Sequence, residues 1–196
     1  MRPSTDLIGR DDLLRQVGDL LAGGGSVLLY GPEGIGKSAV VAAVARPGIH
    51  VLDPFEHVRG QAAHDIRRVL DFDGVYLAAA RTAQRRALGA VGRILWRFSL
   101  VRVRELPDAT LKRLVAREIG AGRSIELPDP KWVNAVVALS KGRPGFAVEM
   151  ARFAADWYRR RGYWPMVDLA FAATREDATI RTLAVDRLHR LHKAPR

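Results

Sequence analysis

Gly31-Pro32-Glu33-Gly34-Ile35-Gly36-Lys37-Ser38 satisfies the pattern G-x-x-x-x-G-K-[S/T] at every fixed position. The residues on either side matter as much as the pattern. Ahead of it, Ser26-Val27-Leu28-Leu29-Tyr30 is a short apolar run of the kind buried on both faces of a parallel sheet. Behind it, Lys37 to Ala45 reads as a helix closed by Arg46-Pro47-Gly48. Gly31 and Gly36 let the intervening loop curl so that successive backbone N–H groups point inward, and the N-terminus of the following helix adds partial positive charge. Such a ring of donors suits a polyphosphate. Lys37 reaches β- and γ-phosphates and the Ser38 hydroxyl reaches Mg²⁺. The expected ligand is therefore ATP or ADP with Mg²⁺, cradled by Gly31, Pro32, Glu33, Gly34, Ile35, Gly36, Lys37, Ser38 and Ala39.

Working outward, Asp6 to Ala22 reads as a helix with Leu13, Leu14, Val17, Leu20 and Leu21 on one face, stopped by Gly23-Gly24-Gly25. Ile49 to Leu52 reads as a second strand ended by Asp53-Pro54, Gly60 to Leu70 as a helix and Val75 to Ala80 as a third strand. Ala83 to Trp96 reads as a basic helix. Ser99 to Leu106, where Leu100, Arg102 and Arg104 alternate with Val101, Val103 and Glu105, reads as a fourth strand. Strands alternating with helices predict an α/β fold with a parallel sheet. From Pro107 the pattern changes: Asp108 to Ile119, Pro130 to Ser140 and Gly145 to Arg161 read as helices, and Met166 to Leu191 carries two more. The expected organisation is a P-loop α/β nucleotide-binding core over residues 1–106, a helical lid over 107–161 and a C-terminal helical extension over 162–196.

Hydrophobic residues form 48% of the 196, enough for a buried core. The absence of cysteine excludes disulfides and thiolate metal sites. No run approaches the roughly 18 apolar residues that span a bilayer, and the start lacks the apolar core of a secretory signal, so a cytoplasmic protein with no membrane partner is expected. The net charge of +11 draws polyanions, nucleic acid first and anionic membrane second, and DNA contact through a basic surface is expected. Residues 151–196 hold ten Lys or Arg against five acidic groups, with Tyr158, Tyr163 and Trp164 flanking Arg159-Arg160-Arg161. That segment fits either a helix with aromatics inward and arginines solvated, or a surface that stacks bases and contacts phosphates. His189 and His192 stand one helical turn apart with no evident third ligand, and no zinc spacing or Ser-His-Asp motif occurs.

With the phosphate loop placed, roughly residues 7 to 150 resemble the AAA+ and STAND branch of P-loop ATPases, which holds origin-recognition, clamp-loader and signalling ATPases. Ile8-Gly9-Arg10-Asp11 is similar to that branch's "GRE" motif, which implies that Ile8, Gly9 and Arg10 lie over the adenine; otherwise Asp6 or Asp11 serves as a helix cap. Ile49-His50-Val51-Leu52-Asp53 resembles a Walker B strand, which implies Asp53 as the partner of Ser38 at Mg²⁺. The family places a second acid directly afterwards to polarise the attacking water. Here Pro54 stands there, and the next carboxylate, Glu56, becomes the candidate base. Only 14 residues separate Ser38 from Asp53, too few for the usual intervening strand and helix. Either the core is shortened or Asp53 ends a different strand.

Val75 to Ala80 resembles the sensor 1 strand, which implies Arg81 and Thr82 near the γ-phosphate unless they only open the next helix. Gly92 to Phe98 is similar to the clamp-loader segment whose arginine reaches a neighbouring subunit's ATP, so Arg97 is the candidate finger, with Trp96 in place of the usual small residue. Arg85, Arg86 and Arg93 equally fit a polyanion-binding face. Lys141-Gly142-Arg143-Pro144-Gly145 resembles the lid motif that meets the nucleotide, which implies Arg143 and Pro144 as contacts. The resemblance as a whole implies an AAA+-type ATPase with Lys37, Asp53, Glu56 and Arg97 as catalytic groups. It would couple ATP binding and hydrolysis to a conformational change in a DNA-related process, by self-association or with a protein partner. The missing acid after Asp53 leaves open a non-hydrolysing ATP-dependent switch or scaffold subunit of a signalling or multi-protein complex. A small-molecule kinase is a third P-loop class, less suited to this lid.

Overall fold

Four parallel strands, β1 (Ser26–Tyr30), β2 (Ile49–Leu52), β3 (Val75–Ala80) and β4 (Phe98–Arg102), form one sheet in the order β2-β3-β1-β4. The computed structural model describes residues 7–57, 74–120 and 127–173, and the chain divides into two compact units, Met1–Arg104 and Glu105–Arg196.

In the first unit the two-residue period of a strand sorts the apolar residues onto two faces. Val27, Leu29, Leu77, Ala79 and Val101 turn to one side, where they pack with Val17 and Leu21 of helix α1 (Asp11–Ala22) and Val40 and Val41 of helix α2 (Lys37–Val44). Leu28, Tyr76, Ala78, Ala80 and Phe98 turn to the other, against Phe55, Leu88, Val91 and Ile94. The central strands β1 and β3 are buried on both faces, which is why they read as unbroken apolar runs. The single hydroxyl that opens β1, on Ser26, is buried but accepts the backbone N–H of Tyr76 at 3.0 Å.

The first helix begins at Asp11 rather than Asp6, because Gly9 takes a left-handed conformation (φ 73°) and turns the chain before it. The short spacing between Ser38 and Asp53 reflects a shortened core: only the rest of α2, a turn and β2 fill it. β2 pairs with β3 and not with β1. β4 starts one residue earlier than expected and closes at Arg102.

The expected basic α-helix over Ala83 to Trp96 is not formed. Turns lead into a 3₁₀ helix, Gly89–Arg97. Two glycines explain it. Gly89 is left-handed at φ 59°, and a Cβ on Gly92 would collide with the Arg85 carbonyl, so the chain folds back on itself there. The buried residues Leu88, Val91 and Ile94 recur every third position, the period of a 3₁₀ helix.

The second unit contains α3 (Asp108–Gly120), α4 (Pro130–Ser140), α5 (Pro144–Arg161) and α6 (Val167–Ala173). Asp129 caps α4 by accepting the Lys131 N–H at 2.7 Å, and Pro130 and Pro144 occupy the first turns of their helices, where a missing N–H costs nothing. On α5, Ala147, Met150, Ala151, Ala154 and Ala155 form a buried stripe of mostly small side chains that lets the neighbouring helices approach. The tail aromatics stack on one another: Trp164 lies 4.7 Å from Tyr158 and 5.7 Å from Trp132, whose indole N–H donates to the Pro165 carbonyl. Arg159, Arg160 and Arg161 are exposed, the first two paired with Asp156. The expected helix over Gly60 to Leu70, and the part of Met166 to Leu191 beyond Ala173 with His189 and His192, lie outside the described residues. Among the described residues no helix is long and apolar enough to cross a membrane.

Candidate functional site: a phosphate loop at the carboxyl edge of the sheet

The strand register gathers the chemistry on one edge. Tyr30, the last residue of β1, is level with Ala80 of β3 and Arg102 of β4, and Leu52 of β2 is level with Ala78. The segments leaving those strands, Gly31 onward, Arg81 onward and Asp53 onward, therefore emerge together at the carboxyl ends, where open α/β sheets bind their ligands.

The glycine loop is built as its sequence requires. Gly34 and Gly36 adopt φ 72° and 96°, left-handed values that a side chain resists. A Cβ on Gly31 would stand 2.9 Å from the Val103 carbonyl oxygen. Ile35 does the opposite work: its side chain is fully buried in the α1/α2 core and pins the loop to the fold. No side chain caps α2, whose first N–H groups follow directly on the glycine loop. Lys37 Nζ donates to the carbonyls of Gly31 (2.8 Å) and Pro32 (3.0 Å), which places the ammonium inside the curl. Ser38 and Ala39 are exposed at the start of α2.

Acidic and basic groups from three strand ends surround this ammonium. Burial pushes the Lys37 pKa below its ordinary value, and Arg81 acts in the same sense, while Glu56, Asp53 and Glu33 oppose both. Glu56 sits on a short 3₁₀ turn, Phe55–His57, whose Phe55 is wholly buried and fixes it. The Arg81 backbone N–H donates to Glu56 Oε1 at 3.3 Å, and the Arg81 side chain lies 3.9 Å from the same oxygen and 3.3 Å from Glu33 of the loop. Arg81 thus bridges the loop to the strand-end carboxylate. Its partners are 48 and 25 residues away, so only its position directly after an apolar strand pointed to it. Thr82 serves the turn, accepting the Gln84 N–H at 3.1 Å.

Arg10 is buried, and its guanidinium donates to the carbonyls of Ile35 (2.9 Å) and Arg104 (2.7 Å). It ties the phosphate loop to the chain leaving β4. Ile8 and Gly9 lie just before it, in the turn closed by the Arg10 N–H on the Leu7 carbonyl. Charge-assisted hydrogen bonds contribute roughly 1.5–3 kcal/mol each, so Arg10→Ala is expected to destabilise the first unit by about 3 kcal/mol or more. The urea midpoint reads this, and Arg10→Lys should recover only part because one ammonium does not span both carbonyls. An unchanged midpoint would mean the bridge is not formed.

Arg97 lies at the end of the 3₁₀ helix with its guanidinium carbon 4.4 Å from the Trp96 ring centroid. Arg143 and Pro144 belong to the second unit, at the N-cap and first turn of α5. There Lys141 and Gly142 are left-handed (φ 49° and 76°) and the Gly142 carbonyl accepts the Leu106 N–H at 2.8 Å.

The loop's donors, its internal ammonium and the nearby Ser38 and Asp53 fit a nucleoside triphosphate with Mg²⁺. Among the described residues no three His, Asp or Glu gather as a metal cage. Mg²⁺ held beside phosphates needs only one or two protein oxygens.

Strand, glycine loop and helix in this order, on the carboxyl edge of a parallel sheet, define a P-loop fold. A family model described as AAA ATPase domain matches residues 6–195, and the chain belongs to that family. Among solved structures it is similar to Orc1 of Aeropyrum pernix in complex with DNA (TM-score 0.65, 16% identity, 95% of this chain and 67% of that one). It is also similar to RuvB of Thermotoga maritima, a Holliday junction branch migration motor (TM-score 0.60, 15% identity, 94% and 72%). A third similar structure is Hsp104 of S. cerevisiae in complex with casein (TM-score 0.63, 16% identity, 89% and 42%). At these identities the likeness concerns the fold. No curated protein matches the chain in sequence.

Proposed function

We propose that the chain binds ATP with Mg²⁺ at Gly31 to Ala39 and hydrolyses it, driving a conformational change in a DNA-related process. The observation that carries this reading is the convergence of Asp53, Glu56 and Arg81 on the Lys37 ammonium within the glycine loop. Lys37 exchanges the Gly31 and Pro32 carbonyls for β- and γ-phosphate oxygens, and Ser38 and Asp53 would hold Mg²⁺. When bound, the metal offsets charge on those phosphates. Glu56 accepts the proton of the attacking water as its oxygen bonds to the γ-phosphorus and ADP departs. Arg81, fixed between Glu33 and Glu56, aims the carboxylate. Ile8, Gly9 and the Arg10 backbone border the adenine. The charge of +11, and the DNA and Holliday junction in the descriptions of Orc1 and RuvB, support the DNA-related part.

Phosphate release from MgATP tests this. Steady release is expected, whereas ATP held with no phosphate freed over hours would favour a non-hydrolysing switch or scaffold. Pro54 in the place directly after Asp53 is the feature that favours that second reading. The finger role of Arg97 calls for a neighbouring copy: with a non-hydrolysable ATP analogue the chain should self-associate in sedimentation. A chain that stays monomeric removes that role from Arg97.

A further inference from the structure

From Gly74 to Arg104 the chain contains no Asp or Glu and seven arginines, at positions 81, 85, 86, 93, 97, 102 and 104. All seven are exposed. Arg81 turns to Glu33 and Glu56, but among the described residues no carboxylate lies within ion-pair distance of Arg85, Arg86, Arg93 or Arg102. The 3₁₀ helix organises the rest. Its three-residue repeat that buries Leu88, Val91 and Ile94 brings Arg93 and Trp96 onto one outward line. Trp96 is 74% exposed, and Arg97 covers one side of its ring. Beyond it, Leu100 is 46% exposed and shares a face of β4 with Arg102, two residues on.

We propose that this face, Trp96 with Arg93, Arg102 and the adjoining Arg85 and Arg86, binds single-stranded nucleic acid, the indole stacking on a base and the arginines contacting phosphates. The proposal rests on the DNA-related part of the function above and adds the surface and the form of the strand. A projecting indole stacks only on a base whose face is free, as in a single strand. Duplex phosphates would engage the arginines and leave the ring in water. A second copy seated face to face is a poor occupant because two such arginine faces repel, and the apolar area offered by Trp96 and Leu100 is small; a head-to-tail copy taking Arg97 is the outcome that the self-association measurement below reads. Arg85, Arg86, Arg93 and Arg102, exposed with no carboxylate within ion-pair distance among the described residues, match the regular negative charge of a nucleic-acid backbone.

Anisotropy of a dye-labelled oligothymidylate, with the full chain and no nucleotide, tests this apart from ATP binding. Wild type is expected to bind. Trp96→Ala should weaken binding roughly 5- to 100-fold, the range for removing one stack, with Trp96→Phe retaining most of it. R93E/R102E should weaken it further and flatten the salt dependence by about 0.7 for each phosphate no longer neutralised. These side chains are exposed, and thermal melts matching wild type confirm folding. Variants that bind like wild type would overturn the surface while leaving DNA binding elsewhere intact. Duplex bound as tightly as single strand and indifferent to Trp96→Ala would overturn the stacking. So would variants that change only ATP-dependent self-association, which would make the face a subunit interface. No binding by wild type at about 50 mM salt, where phosphate-driven association is strong, would overturn both this surface and the DNA-related part of the function, with ATP turnover measured separately.

Discussion

Replacing Lys37 with Ala is expected to weaken ATP binding by on the order of 100-fold, corresponding to about 3 kcal/mol for charge-assisted bonds to the phosphates. The fold should not suffer in parallel. Burial holds the Lys37 pKa below its ordinary value, so the folded state binds this proton less tightly than the unfolded chain does. The protonated group therefore costs stability below its folded pKa, and that cost fades as pH rises toward the unfolded value. At neutral pH the Ala variant loses the ammonium's burial cost together with its bonds to the Gly31 and Pro32 carbonyls, so it should melt close to wild type in the absence of nucleotide, but lose the rise in melting temperature that saturating ATP gives wild type. Calorimetric titration and paired melts read the two effects. A variant that still melts higher with ATP, at wild-type affinity, would contradict the role given to the ammonium.

The second large effect falls on Glu56. Glu56→Gln keeps the size of the side chain and an oxygen able to accept the Arg81 N–H, but removes the base. General-base catalysis contributes about 10²–10⁴-fold, so turnover should drop by at least about 100-fold while ATP affinity stays within a few-fold of wild type. Asp53→Asn should behave differently, weakening the dependence on Mg²⁺ as well as the rate. If the Gln variant turns over at the wild-type rate, the proton goes elsewhere and Arg81 aims at nothing catalytic.

How far sequence alone reaches depends on the range of each interaction. The phosphate loop is legible because its requirements are local: left-handed glycines, a strand before and a helix after, all within about twenty residues of chain. The parallel α/β sheet and the helical second part follow from apolar periodicity for the same reason. The stretch from Ala83 to Trp96 misleads because Leu88, Val91 and Ile94 satisfy a helical period nearly as well as a 3₁₀ one. What decides between them is the left-handed turn at Gly89 and the approach of the Arg85 backbone to Gly92, backbone geometry that an apolar period does not report. Arg10 carries the same lesson. Its motif places it near the adenine, whereas its guanidinium is engaged by two carbonyls 25 and 94 residues away, which no local pattern reveals. The Glu33–Arg81–Glu56 bridge joins three segments that meet only once the order β2-β3-β1 is known. The aromatic residues around Arg159 to Arg161 fit two readings in sequence, and in the fold they stack on one another with the arginines outside.

The shortened core sharpens the question of hydrolysis. With Pro54 directly after Asp53, the only carboxylate that β2 and its following turn bring to the ammonium besides Asp53 is Glu56 among the described residues. Its turn is anchored by Phe55 in the core, so the carboxylate is held and not merely nearby.

Titrating MgATP into the purified chain in a calorimeter addresses the grip of the glycine loop on a triphosphate directly. A single site saturating in the micromolar range is the expected isotherm. Absence of heat with ATP, GTP, CTP and UTP up to millimolar concentration, together with no shift in melting temperature, would contradict it.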